Sequence, residues 1–499
     1  MIRNFSLSIL SATLLILSFP PFDCPVLIWF ALIPFFILLE NKGPRAAFGW
    51  GYLTGALFFF GTLWWFIHVT LPGMILINAY LALYFGIFAA AAVFFGRLSL
   101  NWKMLVLPGL WVAVEYVRAH FLSGFGWLAL GHSQYRDLLL IQIADVTGVA
   151  GLSFLIVLVN VLGREWFRKK RRPLNGPTAV TALLLIGVAG YGAWRLSPVE
   201  HLPQTKVSVV QGNISLADKW SPDEWPGIME KYIDLTRRAA LDGPELIIWT
   251  ETAFPGFIWQ TPEFMHDLLQ LQSQIRTSLI FGLVTRNEGK YFNSALMVDA
   301  AGERLTQYDK LHLVPFGEYI PLRNVLPFLS NLVPIDDFTA GKEYTLFPVP
   351  ARNGTVFEGK LAVLICFEDT IPELSREFVR RGAQVLVNVT NDAWFRDTAA
   401  PLMHLQAAIF RTVENHRSLI RSANTGLSCF IDPTGVIRGC FQDERGKKTF
   451  VAGTAAAQVP LSSRTTFYTK YGDVFTYLCF GCILMGILRM KRAQGARSA

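Results

Sequence analysis

The placement of apolar residues constrains this chain more than any other feature. Hydrophobic residues fill 52% of its 499 positions, and they are unevenly spread. Residues 1 to about 197, and again about 472–489, hold long apolar stretches, while the segment between reads as an ordinary globular sequence. Eight stretches, most of them roughly 17–23 residues, have the length that a ~30 Å hydrocarbon core requires. They lie near 5–20, 25–40, 49–71, 74–95, 104–122, 148–164, 177–195 and 472–489. The first does not read as a cleaved leader. It runs into Ser18-Phe19-Pro20-Pro21 with no small-residue cleavage site, and another apolar stretch follows directly. The expected fold is a polytopic α-helical membrane bundle of eight spans plus one large α/β domain.

Charge orients that bundle. Basic residues sit at Arg3, at Lys42 and Arg45, at Arg97 and Lys103, from Arg164 to Arg172, and from Arg489 to Arg497. These are alternate loops and both termini, so the positive-inside rule makes that side cytoplasmic. The large domain then lies outside the cytoplasm. The expected division is 1–199 for spans one to seven, 200–465 for the domain, and 466–499 for span eight with a basic tail. The net charge of +8 resides in the membrane part, and the domain itself is slightly acidic. Nucleic-acid binding is therefore not expected. Of the six cysteines, Cys366, Cys429 and Cys440 fall in the domain, an odd number that leaves at least one thiol unpaired. Cys429 and Cys440 flank the turn Asp432-Pro433-Thr434-Gly435 and could meet across a hairpin, although strained cross-strand geometry argues against a bridge. The cysteine spacings match no zinc site, and there is no glycine-rich phosphate loop, so neither metal nor cofactor is expected.

Within the domain, short β-type runs alternate with helical ones. The runs are 206–211, 245–249, 277–284, 293–299, 361–365, 383–389 and a hairpin over 427–441; helices are expected near 222–241, 262–275, 371–381 and 401–417. Three strands end on reactive residues. Glu-Leu-Ile-Ile-Trp (245–249) precedes Thr250-Glu251, Leu-Ala-Val-Leu-Ile (361–365) precedes Cys366, and 383–389 precedes Thr390-Asn391-Asp392-Ala393-Trp394. Sites in α/β sheets assemble at the carboxyl ends of strands. A cysteine nucleophile needs a base and a cationic neighbour. Glu251 and Lys310 can serve, and His312 is an alternative base.

The motifs WTETAFP (249–255), KLHLVPFGEYIP (310–321) and LICFED (364–369) resemble the Glu, Lys and Cys motifs of the nitrilase superfamily. With SFPP (18–21), the Glu115–Arg118 helix, FGWLALGHSQ (125–134), QGNI (211–214), NDAWF (391–395) and NTG (424–426), the resemblance extends almost end to end to its membrane branch, the apolipoprotein N-acyltransferases. It implies an αββα sandwich for the domain. It also implies Glu251 as general base, Lys310 as oxyanion-stabilising lysine and Cys366 as nucleophile, with Trp220, Glu318, Glu368 and Trp394 in support. The reaction implied is ping-pong transfer of an acyl chain, through a Cys366 thioester, from a phospholipid such as phosphatidylethanolamine to the N-terminal amine of a diacylated apolipoprotein. A monomer in a bacterial inner membrane, with both termini cytoplasmic and the domain periplasmic, is the setting implied. The family's common Cys-Tyr-Glu reads Cys366-Phe367-Glu368 here; the phenol is lost, but the Phe367 backbone N–H can still face an oxyanion. A membrane-tethered amidase shares the same three residues and is the alternative.

Other polar residues have simpler readings. Glu115 and Arg118 in the fifth span suit an intramembrane pair or a headgroup contact. Trp64, Trp65 and His68 suit an aromatic belt. His404, Arg411, Glu414 and Arg417 recur at turn spacing on one helix and suit ion pairs or phosphate contacts.

Overall fold

The computed structural model describes residues 1–169, 176–197, 202–258, 260–320, 337–350 and 359–498. The domain boundary near 199, the basic residues 170–172 and Pro321 of the lysine motif lie outside them. The chain divides into two compact units. One comprises Met1–Pro198, Thr398–Phe410 and Thr466–Ala499, the other Val199–Asp397 and Arg411–Thr465.

The first unit is helical. Helices cover Ile2–Leu17, Pro44–Thr62, Leu71–Phe94, Leu100–His120, Val149–Lys169, Gly176–Leu196 and Val474–Ser498. Four helical stretches among the described residues, Leu71–Arg97, Val149–Arg168, Gly176–Leu196 and Val474–Arg492, are long and apolar enough to cross a membrane. The others fall short of that standard: Ile2–Leu17 is apolar but short. Leu100–His120 has the length but carries Lys103, Glu115 and Arg118. The expected second span is broken into Pro25–Leu27, Ile28–Ala31 and Ile33–Leu38. Pro34 in the first turn of the last piece has no N–H to continue the preceding helix. Asn160 repairs the break, accepting from the Leu32 N–H at 2.8 Å and donating to the Ile28 carbonyl at 3.0 Å. Gly176–Leu196 leaves Leu183, Ile186 and Trp194 exposed, an apolar surface suited to lipid.

The second unit contains two six-stranded sheets. Strands are β1 (Gln204–Gln211), β2 (Leu246–Ile248), β3 (Ser278–Asn287), β4 (Lys290–Val298), β5 (Leu305–Asp309), β6 (Leu346–Pro348), β7 (Lys360–Ile365), β8 (Val385–Thr390), β9 (Ser418–Ala423), β10 (Cys429–Ile431), β11 (Ile437–Cys440) and β12 (Gly453–Pro460). Their orders are β12-β1-β2-β3-β4-β5 and β11-β10-β9-β8-β7-β6. Each sheet has a parallel centre, β1-β2-β3 and β7-β8-β9, flanked by antiparallel strands. The sheets meet face to face, β1 over β9 and β4 over β7, while helix Trp225–Ala240 packs on β1, β2 and β12 and helix Pro372–Arg380 on β7. Every residue of β8 is buried, as a strand covered on both faces requires. Helix Trp225–Ala240 buries Ile228, Met229, Tyr232, Leu235, Thr236 and Ala239, one stripe at helical spacing. The layers are helix, sheet, sheet, helix.

Seven strand runs and four helices stand where the residue pattern placed them. β5, β6, β9 and β12 were not anticipated. β12 is alanine-rich and lacks β-type composition, yet it pairs with β1 in unbroken register from Gln204↔Pro460 to Gln211↔Gly453.

Candidate active site

The parallel strands β2, β7 and β8 deliver their carboxyl ends to one region. Cys366 follows β7 directly with φ +53°, a left-handed conformation uncommon for a residue with a side chain. The turn Cys366–Thr370 that it opens is held by Glu368, whose carboxylate reaches back to accept from the Ile365 N–H at 2.8 Å. The same fully buried carboxylate accepts from the Tyr308 hydroxyl at 2.9 Å and from the N–H groups of Leu311 and His312 at 2.8 and 3.0 Å. Glu368 therefore fastens the chain just after Lys310 to the turn that Cys366 opens. Burial pushes it up to about 7, against the pull of Lys310 and the donors.

Glu251 lies three residues beyond β2 and is almost buried. Its segment runs against β3 at Gly282, where a Cβ would stand 2.6 Å from the Thr250 carbonyl and 2.7 Å from the Glu251 Cα. Asn293 on β4 joins two acids: its Nδ2 donates to Glu251 Oε1 and to Glu318 Oε1, both at 2.8 Å. Lys310, 1% exposed, donates to Glu318 at 2.8 Å and stands 4.0 Å from Glu251. Glu318 also accepts from the Val314 N–H at 2.8 Å, closing its own loop. Burial would discharge Lys310, but Glu318 first, then Cys366 and Glu251, hold it firmly protonated. Burial pushes the Cys366 thiol up and Glu251 adds to this, while Lys310 and a hydrogen bond with Thr390 pull it down. The Cys366 thiol thus lies under the influence of a carboxylate and a cation. Such an arrangement is able to take up the thiol proton during an attack by sulfur and to offer a positive charge to an oxyanion.

The remaining sequence candidates fall nearby. Phe367 stacks on His312 with ring centres 6.3 Å apart. Trp220 follows Lys219 and is 56% exposed; Trp394, in the turn Asp392–Phe395 after β8, is 47% exposed. Sequence reading missed Asn293, Tyr308 and Lys219. It also missed Arg421, which is fully buried and pairs with Asp369 at 2.7 Å and Asp392 at 3.1 Å, bracing the turn after Cys366 against the turn after β8. The one available signal was polarity inside apolar strands, Asn293 in β4 and Arg421 in β9. Cys429 and Cys440 are free thiols on directly opposed positions of β10 and β11. Arg411 and Glu414 pair with each other at 2.8 Å, fully buried, and Arg417 donates to the Ala383 carbonyl at 2.7 Å.

Residues 11–162 match the family model described as the apolipoprotein N-acyltransferase N-terminal domain, and residues 206–466 match that of carbon-nitrogen hydrolase. The apolipoprotein N-acyltransferase of Geobacter metallireducens is 36% identical, covering 98% of this chain and 96% of that one. That of Shewanella oneidensis is 30% identical, covering 96% and 94%. Among solved structures, an amidase from Nesterenkonia is similar with a TM-score of 0.40 at 17% identity, over 56% of this chain and 98% of that one. From the near end-to-end match to curated relatives, the chain belongs to the apolipoprotein N-acyltransferase family, and its 206–466 segment is a carbon-nitrogen hydrolase domain.

Proposed function

We propose that this chain moves a fatty acyl chain from a membrane phospholipid, through a thioester on Cys366, to the N-terminal amine of a diacylglyceryl-cysteine on an apolipoprotein. The observation that carries the reading is Lys310, buried between Glu318 and Glu251 and acting on the Cys366 thiol. Glu251 takes the thiol proton as sulfur attacks the ester carbonyl. Lys310 and the Phe367 N–H meet the tetrahedral oxyanion, a contribution of about 3–4 kcal/mol per donor. Collapse breaks the ester C–O bond, and Glu251 returns the proton to the departing lyso-phospholipid. The acceptor amine then attacks the thioester, gives its proton to Glu251 and forms the amide. The thiolate leaves and regains that proton. Glu318, Asn293 and Glu368 position these groups, and Trp220 and Trp394 offer apolar surface to acyl chains.

The setting that suits both substrates is a bundle of eight spans formed by 1–199 and 466–499, with the domain 200–465 in the periplasm and both termini in the cytoplasm. The donor is phosphatidylethanolamine, the membrane is the bacterial inner membrane and the enzyme is a monomer. Reconstitution of the full chain with isotopically labelled phosphatidylethanolamine and a diacylglyceryl-cysteine peptide tests this. One labelled acyl chain is expected on the peptide amine. Free fatty acid as sole product, or turnover of small amides without peptide acylation, would replace the reading with a hydrolase.

A further inference from the structure

A second lysine reaches the same carboxylate segment. Lys219 ends the short helix Leu216–Lys219 and is only 9% exposed. Its ammonium donates to the Glu251 main-chain carbonyl at 2.9 Å, and its own carbonyl is held by the Trp225 indole N–H at 3.2 Å. Lys310 contacts two carboxylates, whereas the hydrogen-bond acceptor of Lys219 is uncharged. Among the described residues Lys219 has no carboxylate within ion-pair distance, and a buried cation so placed is costly, commonly several kcal/mol; a role beyond folding would account for it. The charge balance of the site supplies that role. Glu251, Glu318 and Lys310 together carry one negative charge, which Lys219 offsets; Glu368, pushed up to about 7 by burial, adds a further negative charge only as it ionises. The balance persists through the reaction: when Glu251 has accepted the Cys366 proton, the negative charge sits on sulfur or on the tetrahedral oxyanion, still matched by two lysines.

Resting on the thioester reading above, we infer that Lys219 is a positioning residue. It fixes the Glu251 peptide and supplies the second positive charge that lets the Glu251–Cys366 pair form an anion in a buried site. The titratable groups that act on Lys219 are Glu251 and Cys366; the neighbouring Asp218 acts instead on Lys231 of the adjoining helix. Burial pushes Lys219 down to about 8, opposed by those two groups. It is therefore charged below that pH and neutral above it, so the rate of Cys366 acylation falls as pH rises through about 8.

The test is single-turnover acylation of Cys366 by intact mass, using the full chain in phosphatidylethanolamine nanodiscs from pH 6 to about pH 10. Lys219→Met is expected to acylate roughly 10- to 100-fold more slowly, since one of two buried countercharges is gone. Lys219→Arg, whose guanidinium does not titrate in this range, is expected to restore most of the rate and to carry it past the alkaline limb of the wild type. Wild-type acylation in Lys219→Met, or an alkaline limb left in place by Lys219→Arg, overturns the inference. If Lys219→Met fails to fold, the Lys219→Arg pH profile decides. A wild-type chain that never acquires the adduct overturns instead the thioester reading on which the inference rests.

Discussion

Asn293 offers the sharpest perturbation of the site. Its amide donates to Glu251 and Glu318 at 2.8 Å each, while its Oδ1 has no partner among the described residues. The two acids alone therefore set the direction of the amide. Asn293→Asp keeps the shape but replaces the shared donor with an oxygen facing two carboxylates. At an effective dielectric of 20, like charges ~4 Å apart repel by about 4 kcal/mol, equivalent to about three pH units of proton affinity. A carboxyl of ordinary value ~4.3 raised by about three pH units titrates near 7, so one proton is shared among the three carboxyl groups and Glu251 is only partly free to act as base at neutral pH. Acylation of Cys366 is expected to drop by roughly 3-fold at pH 7 and by about 20-fold at pH 6. Because higher pH removes the extra proton, the acid limb of the rate moves alkaline and activity recovers partly as pH rises. Asn293→Leu also removes both hydrogen bonds but adds no charge, so it slows the reaction without that displacement. The assay is single-turnover adduct formation by intact mass across pH. An Asn293→Asp enzyme with the wild-type rate and profile would refute the role given to this bridge.

Three further outcomes follow from neighbouring contacts. Glu368 stands at about 7 in the fold against an ordinary 4.5. A carboxyl raised in this way stabilises below its unfolded value, and that stability is lost as pH rises through the folded one. Wild type should thus lose about 3 kcal/mol between pH 4.5 and 8 relative to Glu368→Gln, read by denaturant titration of the full chain; parallel curves would dismiss the assignment. Arg421→Met takes the buried cation away from Asp369 and Asp392, and a loss of about 3–5 kcal/mol is expected in the same titration; a loss below 1 kcal/mol would mean the pairs carry little. Gly282→Ala pushes the Glu251 segment off β3. It should cost about 1–3 kcal/mol and cut acylation more than stability, and unchanged kinetics would count against the close approach.

The legible parts of this chain were those coded locally. The runs ending at Glu251 and Cys366 are continuous and apolar, and they became β2 and β7 with their reactive residues at the carboxyl ends. The left-handed turn at Cys366 and its closure by Glu368 lie within four residues of each other. What escaped was set by distant partners. Asn293 matters because β3 and β4 carry it beside residues 42 positions before and 25 after it. Lys219 reaches Glu251 across 32 residues, and Arg421 reaches Asp369 across 52. β12 exists because β1 offers it an edge, not because its own alanines favour a strand. The broken second apolar segment, repaired by Asn160 from 128 residues away, has the same origin.

The central claim is that Cys366 carries the acyl chain, and the most direct measurement is intact-protein and peptide mass spectrometry of the full chain during turnover on labelled phosphatidylethanolamine. The expected result is a single labelled fatty-acyl adduct mapped to Cys366. Hydroxylamine or the acceptor peptide should remove it, and Cys366→Ser should lack it. Sustained transfer to the peptide with Cys366 unmodified, or undiminished transfer by Cys366→Ser, would contradict it.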